Sequence, residues 1–327
     1  MPDQMPGASD EPPIFVLTGT TAVGKTELSL DWAEALGAEI LSCDPLLFYR
    51  GMDIGTAKPT ASELSRVPHH LIDISDVDQM VDIRTFVNLA ERTVAAIRSR
   101  GRKVLVCGAS GFYLQSFFRP VVDLVAVSAE LRAELRSRLE TEGLNILIEE
   151  LAALNPQGLG GLDTRNPRRV IRALERCRAS GRDIATLKRE LEAQTNSLIE
   201  AGKVTVRLNR DRGDLDRRIV LRVEAMLAAG LIAEVEGLLA RGLKRNPSAA
   251  SAVGYRETIM WLRHRRSEDE LAASIAGNTR RLARKQLSWF RNQFPAHRVI
   301  EIQEEGADPL SVLASVSSGT AGSMEIP

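Results

Sequence analysis

Apolar residues along this chain switch between short continuous runs and three-to-four spacings, a pattern that predicts strands exchanging with helices. Ile14-Phe15-Val16-Leu17 is a continuous run, as expected for a strand buried on both faces. It leads into the loop Gly19-Thr20-Thr21-Ala22-Val23-Gly24-Lys25-Thr26, and Glu27 to Ala33 opens a helix behind it. Ala38 to Asp44 reads as a second short strand ending in a carboxylate. Tyr49 to Pro59 is loop-like, with Gly51, Gly55 and a closing proline. Phe86, Leu89, Ala90, Val94 and Ile97 recur at helical spacing and stop at Gly101. Lys103 to Cys107 is a further buried-type strand. Strands alternating with helices predict a parallel sheet covered on both faces.

The pattern changes after Pro120. From Ser128 to about Glu200 it is almost wholly helical and rich in Arg, Leu and Glu. Lys203 to Leu208 returns to strand-like alternation, a helix follows from Leu215, and Gly230 and Gly242 punctuate two more. Leu271 to Phe290 is one long helix. The expected organisation is a disordered leader, 1–13, and a core in two parts, 14–122 and 201–305. A helical insertion, 123–200, separates those parts, and a disordered tail, 306–327, ends the chain. The fold class is α/β: a P-loop NTPase-like core, its parallel sheet flanked by helices, with an inserted helical domain.

Composition narrows the function classes. Apolar residues at 44% and charged residues at 26% of 327 describe an ordinary soluble chain. No run approaches the ~18 apolar residues of a membrane span, and no secretory signal is visible, so a cytoplasmic location is expected. Cys43, Cys107 and Cys177 are too few and too scattered for a disulfide framework or a metal site. Formal net charge is zero, so contact with nucleic acid must come from local patches. Two patches stand out. Arg165, Arg168, Arg169, Arg172, Arg176, Arg178 and Arg182 crowd together with Glu175 as the acid among them and Asp183 at their end. The first five recur at spacings of three and four, expected to share a helix face and to bind a polyanion. Arg280, Arg281, Arg284 and Lys285 form the second, with no acid between Glu270 and Glu301. Core packing is the expected role of the adjoining Trp289 and Phe290.

The loop Gly19 to Thr26 reads G-x-x-x-x-G-K-T between a strand and a helix, the context a phosphate-binding loop requires. Its glycines let the backbone turn around an anion, and its amides and the helix N-terminus point at that anion. Lys25 supplies a point charge, and the Thr26 hydroxyl is placed to ligate Mg²⁺.

With these residues in view, the chain resembles the tRNA dimethylallyltransferases, which transfer an isopentenyl-type group to the adenosine 3′ of the anticodon. Matching stretches are Gly19–Thr26, Ser42–Asp44, Tyr49–Pro59, Pro68–Asp73, Gly108–Tyr113, Asn166–Glu175, Val253–Glu257 and Thr279–Arg291. The resemblance implies that dimethylallyl diphosphate takes the place of a nucleoside triphosphate at the loop, with Mg²⁺ assisting and tRNA as acceptor. It implies Asp44 as the base that orients and deprotonates the adenine amine. Thr21, Ser110 and Arg132 match positions near the diphosphate or the tRNA, and Arg218 matches a basic residue that reaches the diphosphate. Asp44-Pro45-Leu46-Leu47, Arg168-Arg169-Val170-Ile171-Arg172, and Arg280, Arg281, Arg284 and Lys285 match tRNA-contacting stretches. A monomer is expected.

The chain also departs from the family pattern. Pro45 and Leu47 stand where the family has Ser and Gln, removing a hydroxyl and a side-chain amide beside the base. Each lost contact is worth ~1–3 kcal/mol of base discrimination. Gly108-Ala109-Ser110-Gly111-Phe112-Tyr113 keeps the hydroxyl of its family counterpart. Other classes share the phosphate loop: an enzyme prenylating free adenine nucleotides, a kinase using ATP, or a catalytically weakened RNA-binding homologue. Two basic helices count against the first, and the helical insertion in place of a short arginine lid counts against the second.

Overall fold

The computed structural model describes residues 11–264, 267–295, 297–302 and 313. Among the described residues six parallel strands form the sheet: β1 Ile14–Gly19, β2 Ala38–Ser42, β3 His69–His70, β4 Lys103–Gly108, β5 Lys203–Arg210 and β6 Arg298–Ile302. Their order is β3-β2-β4-β1-β5-β6. β1 is buried at every position, which explains its unbroken apolar run. The chain leaves β1 toward β2, returns through β4 and crosses to β5 on the other side. The carboxyl end of β1 is therefore a switch point in the strand order, the place where open α/β sheets bind ligands. Neither β3, two half-buried histidines, nor the edge strand β6 was expected from the hydrophobic pattern.

Around the sheet, Phe15, Leu17, Leu30, Trp32, Ile40, Leu105, Val206, Leu208 and Ile300 make one core, with Trp32 edge-on to Phe15. A second core gathers Tyr49 and Met52 with the helices Arg212–Ala228, Leu231–Ala240, Tyr255–His264 and Glu268–Gln293. Trp289 and Phe290 pack with Phe294 at the end of the last helix, so the aromatic pair is structural. Trp289 also dictates Gly111: a Cβ there would lie 2.3 Å from the indole. Gly111→Ala is expected to destabilise the fold by ~1–3 kcal/mol, the usual effect of overpacking. Chemical denaturation checks it, and an unchanged midpoint would show that the indole moves aside freely.

Arg119–Asn196 forms a second compact unit. It is wholly helical, built on Leu135, Leu147, Leu151, Val170, Leu174 and Leu187. Its bounds differ from the expected 123–200. Ser197 hydrogen-bonds Glu91 of the helix Ile83–Ser99 (Oγ to Oε1, 2.9 Å), which ties the short helix Ser197–Glu200 to the sheet unit. The end of the expected leader is also corrected. Arg98 forms an ion pair with Glu11 and donates to the Pro12 carbonyl at 2.8 Å, so residues 11–13 are held in place. Leu313, in the expected disordered tail, is buried in the sheet core. The rest of that leader and tail lies outside the described residues.

Candidate active site

The carboxyl ends of the strands converge on one cavity of about 650 Å³. Thr21, Ala22, Gly24, Lys25 and Thr26 line it after β1, Asp44, Leu46 and Leu47 after β2, and Gly108 and Ala109 at the end of β4. Gly24 has φ 107°, a left-handed conformation that lets the loop turn into the helix Lys25–Leu36. Lys25 folds back on the loop, donating to the carbonyls of Gly19 (3.1 Å) and Thr20 (2.8 Å). Val23 turns the other way, into the sheet core.

Three side chains from distant parts of the chain clasp this loop. Arg210, at the end of β5, donates to the Val23 carbonyl at 3.1 Å, and Arg218 donates to the Ala22 carbonyl at 3.0 Å. Gln286, on the long basic helix, accepts from the Thr21 amide at 2.9 Å and donates to the Ala109 carbonyl at 3.3 Å. One full turn beyond Arg218 lies Arg222, which donates to the Thr56 carbonyl at 3.1 Å and also lines the cavity. The spacing of four between Arg218 and Arg222 puts both on one helix face. That spacing is the sequence signal by which Arg222 could have been found. Arg210 and Gln286 carry no such local signal.

The electrostatics set Asp44 apart. Burial pushes its carboxyl above the ordinary aspartate value, while the Leu46 amide (3.0 Å from Oδ1), Lys25 and Arg222 pull the other way. Burial brings the Lys25 ammonium down to about 8, with Arg222 adding to the fall and Cys107 and Asp44 opposing it. Arg222 is likewise lowered by burial, against the attraction of Asp44. One carboxylate therefore shares a poorly hydrated pocket with two cations, and all three are shifted by burial. Such perturbed groups in a cleft mark a site for an anion and a proton acceptor.

The remaining expected site residues divide. Pro45 and Ser110 are half-buried outside the cavity wall; Ser110 begins the short helix Gly111–Gln115. Arg281, Arg284 and Lys285 are exposed, whereas Arg280 is paired with Asp216 at 3.4 Å. In the helical unit, Asn166 caps the helix Pro167–Ser180 by accepting from the amides of Arg168 and Arg169. Arg132, Arg168, Arg169 and Arg172 are exposed there. Val170 is not available to RNA: its side chain is fully buried in the unit's core, and Ile171 packs against the same core. The wider arginine cluster is also corrected. Arg165 precedes the helix, and acids from other segments meet several of the rest. Arg176 pairs with Asp123 at 3.0 Å, Arg178 with Glu134 at 2.6 Å, and Arg182 with Glu190. The exposed basic face reduces to Arg168, Arg169 and Arg172, of which Arg172 also pairs with Glu175 at 3.2 Å and Arg169 lies 4.0 Å from Asp163.

A parallel sheet with a phosphate loop at its switch point, and a half-buried carboxylate sharing a cavity with that loop, defines a phosphate-loop group transferase. The family model for IPP transferase matches residues 47–293, and this chain belongs to that family. A tRNA dimethylallyltransferase of Opitutus terrae is 54% identical over 294 residues, covering 90% of this chain and 94% of the relative. The full-length tRNA isopentenylpyrophosphate transferase of Bacillus halodurans is 31% identical. It superposes with a TM-score of 0.67, covering 94% of this chain and 95% of its own. A eukaryotic dimethylallyltransferase acting on tRNA shares the fold with a TM-score of 0.77 at 21% identity, covering 94% and 76%.

Proposed function

We propose that this protein transfers the dimethylallyl group of dimethylallyl diphosphate to the exocyclic amine of the adenosine 3′ of the anticodon in tRNA. The observation that carries this reading is the burial-shifted Asp44 carboxylate sharing one cavity with Lys25, Arg222 and the phosphate loop. The adenine amine is a weak nucleophile because its lone pair is delocalised into the ring. As its nitrogen bonds to C1 of the dimethylallyl group, the C1–O bond breaks and its electron pair leaves with the diphosphate. Asp44 takes the proton the amine gives up. Lys25, Arg218, Arg222 and the loop amides stabilise the charge growing on the diphosphate. Ile219, Val223, Met226 and Ile275, which line the same cavity, suit the apolar dimethylallyl group.

Mg²⁺, when bound, would neutralise part of that leaving charge. The exposed Thr26 hydroxyl on the cavity wall is the protein ligand we assign to it. Among the described residues no group of three or more His, Cys, Asp or Glu could hold a metal, so diphosphate oxygens and water would have to complete the shell. The proposed partners are tRNA and dimethylallyl diphosphate, acting on a single chain. Among the described residues no helix is long and apolar enough to cross a membrane. Incubating the protein with tRNA and radiolabelled dimethylallyl diphosphate tests the activity directly; absence of label in the RNA overturns it.

RNA binding should follow the exposed arginines. Changing Arg168, Arg169 or Arg284 to Ala is expected to flatten the plot of log affinity against log salt by about 0.7–0.9 each, and Arg172→Ala by less, because Glu175 pairs with it at 3.2 Å. Arg280→Ala should change it less, because Asp216 already neutralises that charge. Filter-binding titrations over a salt series check this, and unchanged slopes throughout would reduce the arginines to a solvated face.

Leu46 and Leu47 line the cavity beside Asp44 and offer the adenine edge no side-chain hydrogen bond. Pro45→Ser with Leu47→Gln is expected to raise the transfer rate about tenfold on a tRNA with three consecutive adenosines at the target site, since better orientation acts on rate. Affinity for dimethylallyl diphosphate should stay put. A slower enzyme on every tRNA tested would mean that the native pair is adapted to another RNA context.

A further inference from the structure

Of the stretch Gly51-Met52-Asp53-Ile54-Gly55-Thr56-Ala57-Lys58-Pro59, only Gly55, Thr56, Ala57 and Pro59 reach the cavity wall. Its three consecutive amides, Asp53, Ile54 and Gly55, all donate to a single carboxylate, that of Glu234, at 3.0, 2.6 and 3.1 Å. Consecutive backbone amides pointing inward form an anion-binding concavity. Here the anion is a side chain of the chain itself, delivered by the helix Leu231–Ala240. Tyr255 donates its hydroxyl to the same carboxylate at 2.7 Å, and the hydroxyl is held strongly in its protonated form by burial and by Glu234. The Tyr255 ring also lies against Gly55, where a Cβ would approach it to 2.6 Å. Lys58 closes the other side of the turn, bonding the Tyr49 carbonyl (3.0 Å), Asp53 (2.5 Å) and Asp73 (2.5 Å).

The residue after this turn touches the reaction site: the Thr56 carbonyl accepts from Arg222 at 3.1 Å. The guanidinium of Arg222 is thus aimed by a backbone carbonyl whose own position depends on the Glu234 carboxylate. We propose that Glu234, seconded by Tyr255, is a positioning residue for the transfer reaction, acting through the 53–56 turn and the Thr56 carbonyl on the orientation of Arg222 toward Asp44. The inference rests on the proposed function for its kinetic consequence alone; its geometric consequence can be read without substrate. Asp44 is faced by Lys25 from the loop, Arg222 from the helix Arg212–Ala228, the Cys43 and Cys107 thiols and the Tyr113 hydroxyl. Of these, only Arg222 is bonded to the turn that Glu234 holds.

Three variants test it: Glu234→Gln, which offers one acceptor and a repelling NH₂ to the three amides, Glu234→Asp, which keeps the charge, and Tyr255→Phe, which keeps the carboxylate and loses one bond. Single-turnover transfer to a tRNA anticodon stem-loop should fall about tenfold or more in Glu234→Gln, with KM for both substrates within about twofold. Tyr255→Phe should fall in the same direction by less, and Glu234→Asp should recover part of the rate. A relaxed Arg222 withdraws a cation that favours the Asp44 carboxylate, so the acid limb of the pH–rate profile should move to higher pH. Carbon-13 titration of the Asp44 carboxyl without substrate should show the same upward movement. That titration separates the two ideas: it can succeed even if the protein does not prenylate tRNA. Should Glu234→Gln fail to fold, Tyr255→Phe carries both measurements. Lower thermal stability with an unmoved Asp44 titration and an unmoved acid limb overturns the proposal and leaves Glu234 as a brace for the loop.

Discussion

Asp44→Asn is expected to lower the single-turnover rate of dimethylallyl transfer by roughly 10²–10⁴, the usual size of a lost general base. The change keeps the shape of the side chain and its acceptor for the Leu46 amide, so the turn after β2 should survive. Affinity for tRNA and for dimethylallyl diphosphate should therefore hold, and diphosphate binding should if anything tighten, because one negative charge leaves the cavity. The pH dependence has a definite sign. Burial raises the carboxyl above its ordinary value, and a base works only when deprotonated. The wild-type rate should fall on the acid side at a higher pH than an exposed aspartate would dictate, and the acid limb should vanish in Asp44→Asn. Rapid-quench measurements from acid to neutral pH check both. A near-wild-type rate would mean that the proton leaves by another route.

Lys25→Ala and Thr26→Ala should each remove most of the transfer activity, by roughly 10²–10³, the size seen when one preorganised donor to developing charge is deleted. Both side chains line the cavity proposed for the diphosphate, so tRNA affinity and its salt slope should be unchanged. Burial lowers the Lys25 ammonium to about 8, and a diphosphate beside it would raise it again. Lys25→Ala should thus weaken diphosphate binding as well as the rate, whereas Thr26→Ala should act through Mg²⁺ and lose its defect in part at high metal concentration. Equilibrium binding of dimethylallyl diphosphate and of tRNA, measured separately, checks the division. Equal losses in RNA affinity and in rate would sink it.

Much of the site could be read along the chain because its parts are local. A phosphate loop is eight consecutive residues between a strand and a helix, and the buried β1 announces itself as an apolar run. Asp44 follows the last residues of β2 by a step that places it at a strand's carboxyl end. The basic residues 281, 284 and 285 were likewise legible, since no acid in sequence or in space meets them at hydrogen-bonding distance among the described residues. The helical arginine cluster was misread for the complementary reason. Its acids, Asp123, Glu134 and Glu190, come from other segments, and periodicity in one helix says nothing of what folds against it. Val170 was misplaced because a run matched to an RNA-contacting stretch includes the inward face of its helix.

The sequence by itself determined the fold class and brought forward a helical unit apart from the sheet, together with the loop and the carboxylate proposed as anion site and base, because each is encoded by neighbours in the chain, by hydrophobic period or by family resemblance. Only the tertiary structure decided which side chains hold those parts together. Arg210 and Arg218 reach loop carbonyls from about 190 residues away in sequence, Gln286 reaches the Thr21 amide from farther still, and Glu234 fills a turn made by residues 53–55. Such contacts are set by which strand ends and helix faces meet, and a hydrogen bond between distant segments leaves no period in the sequence that carries it.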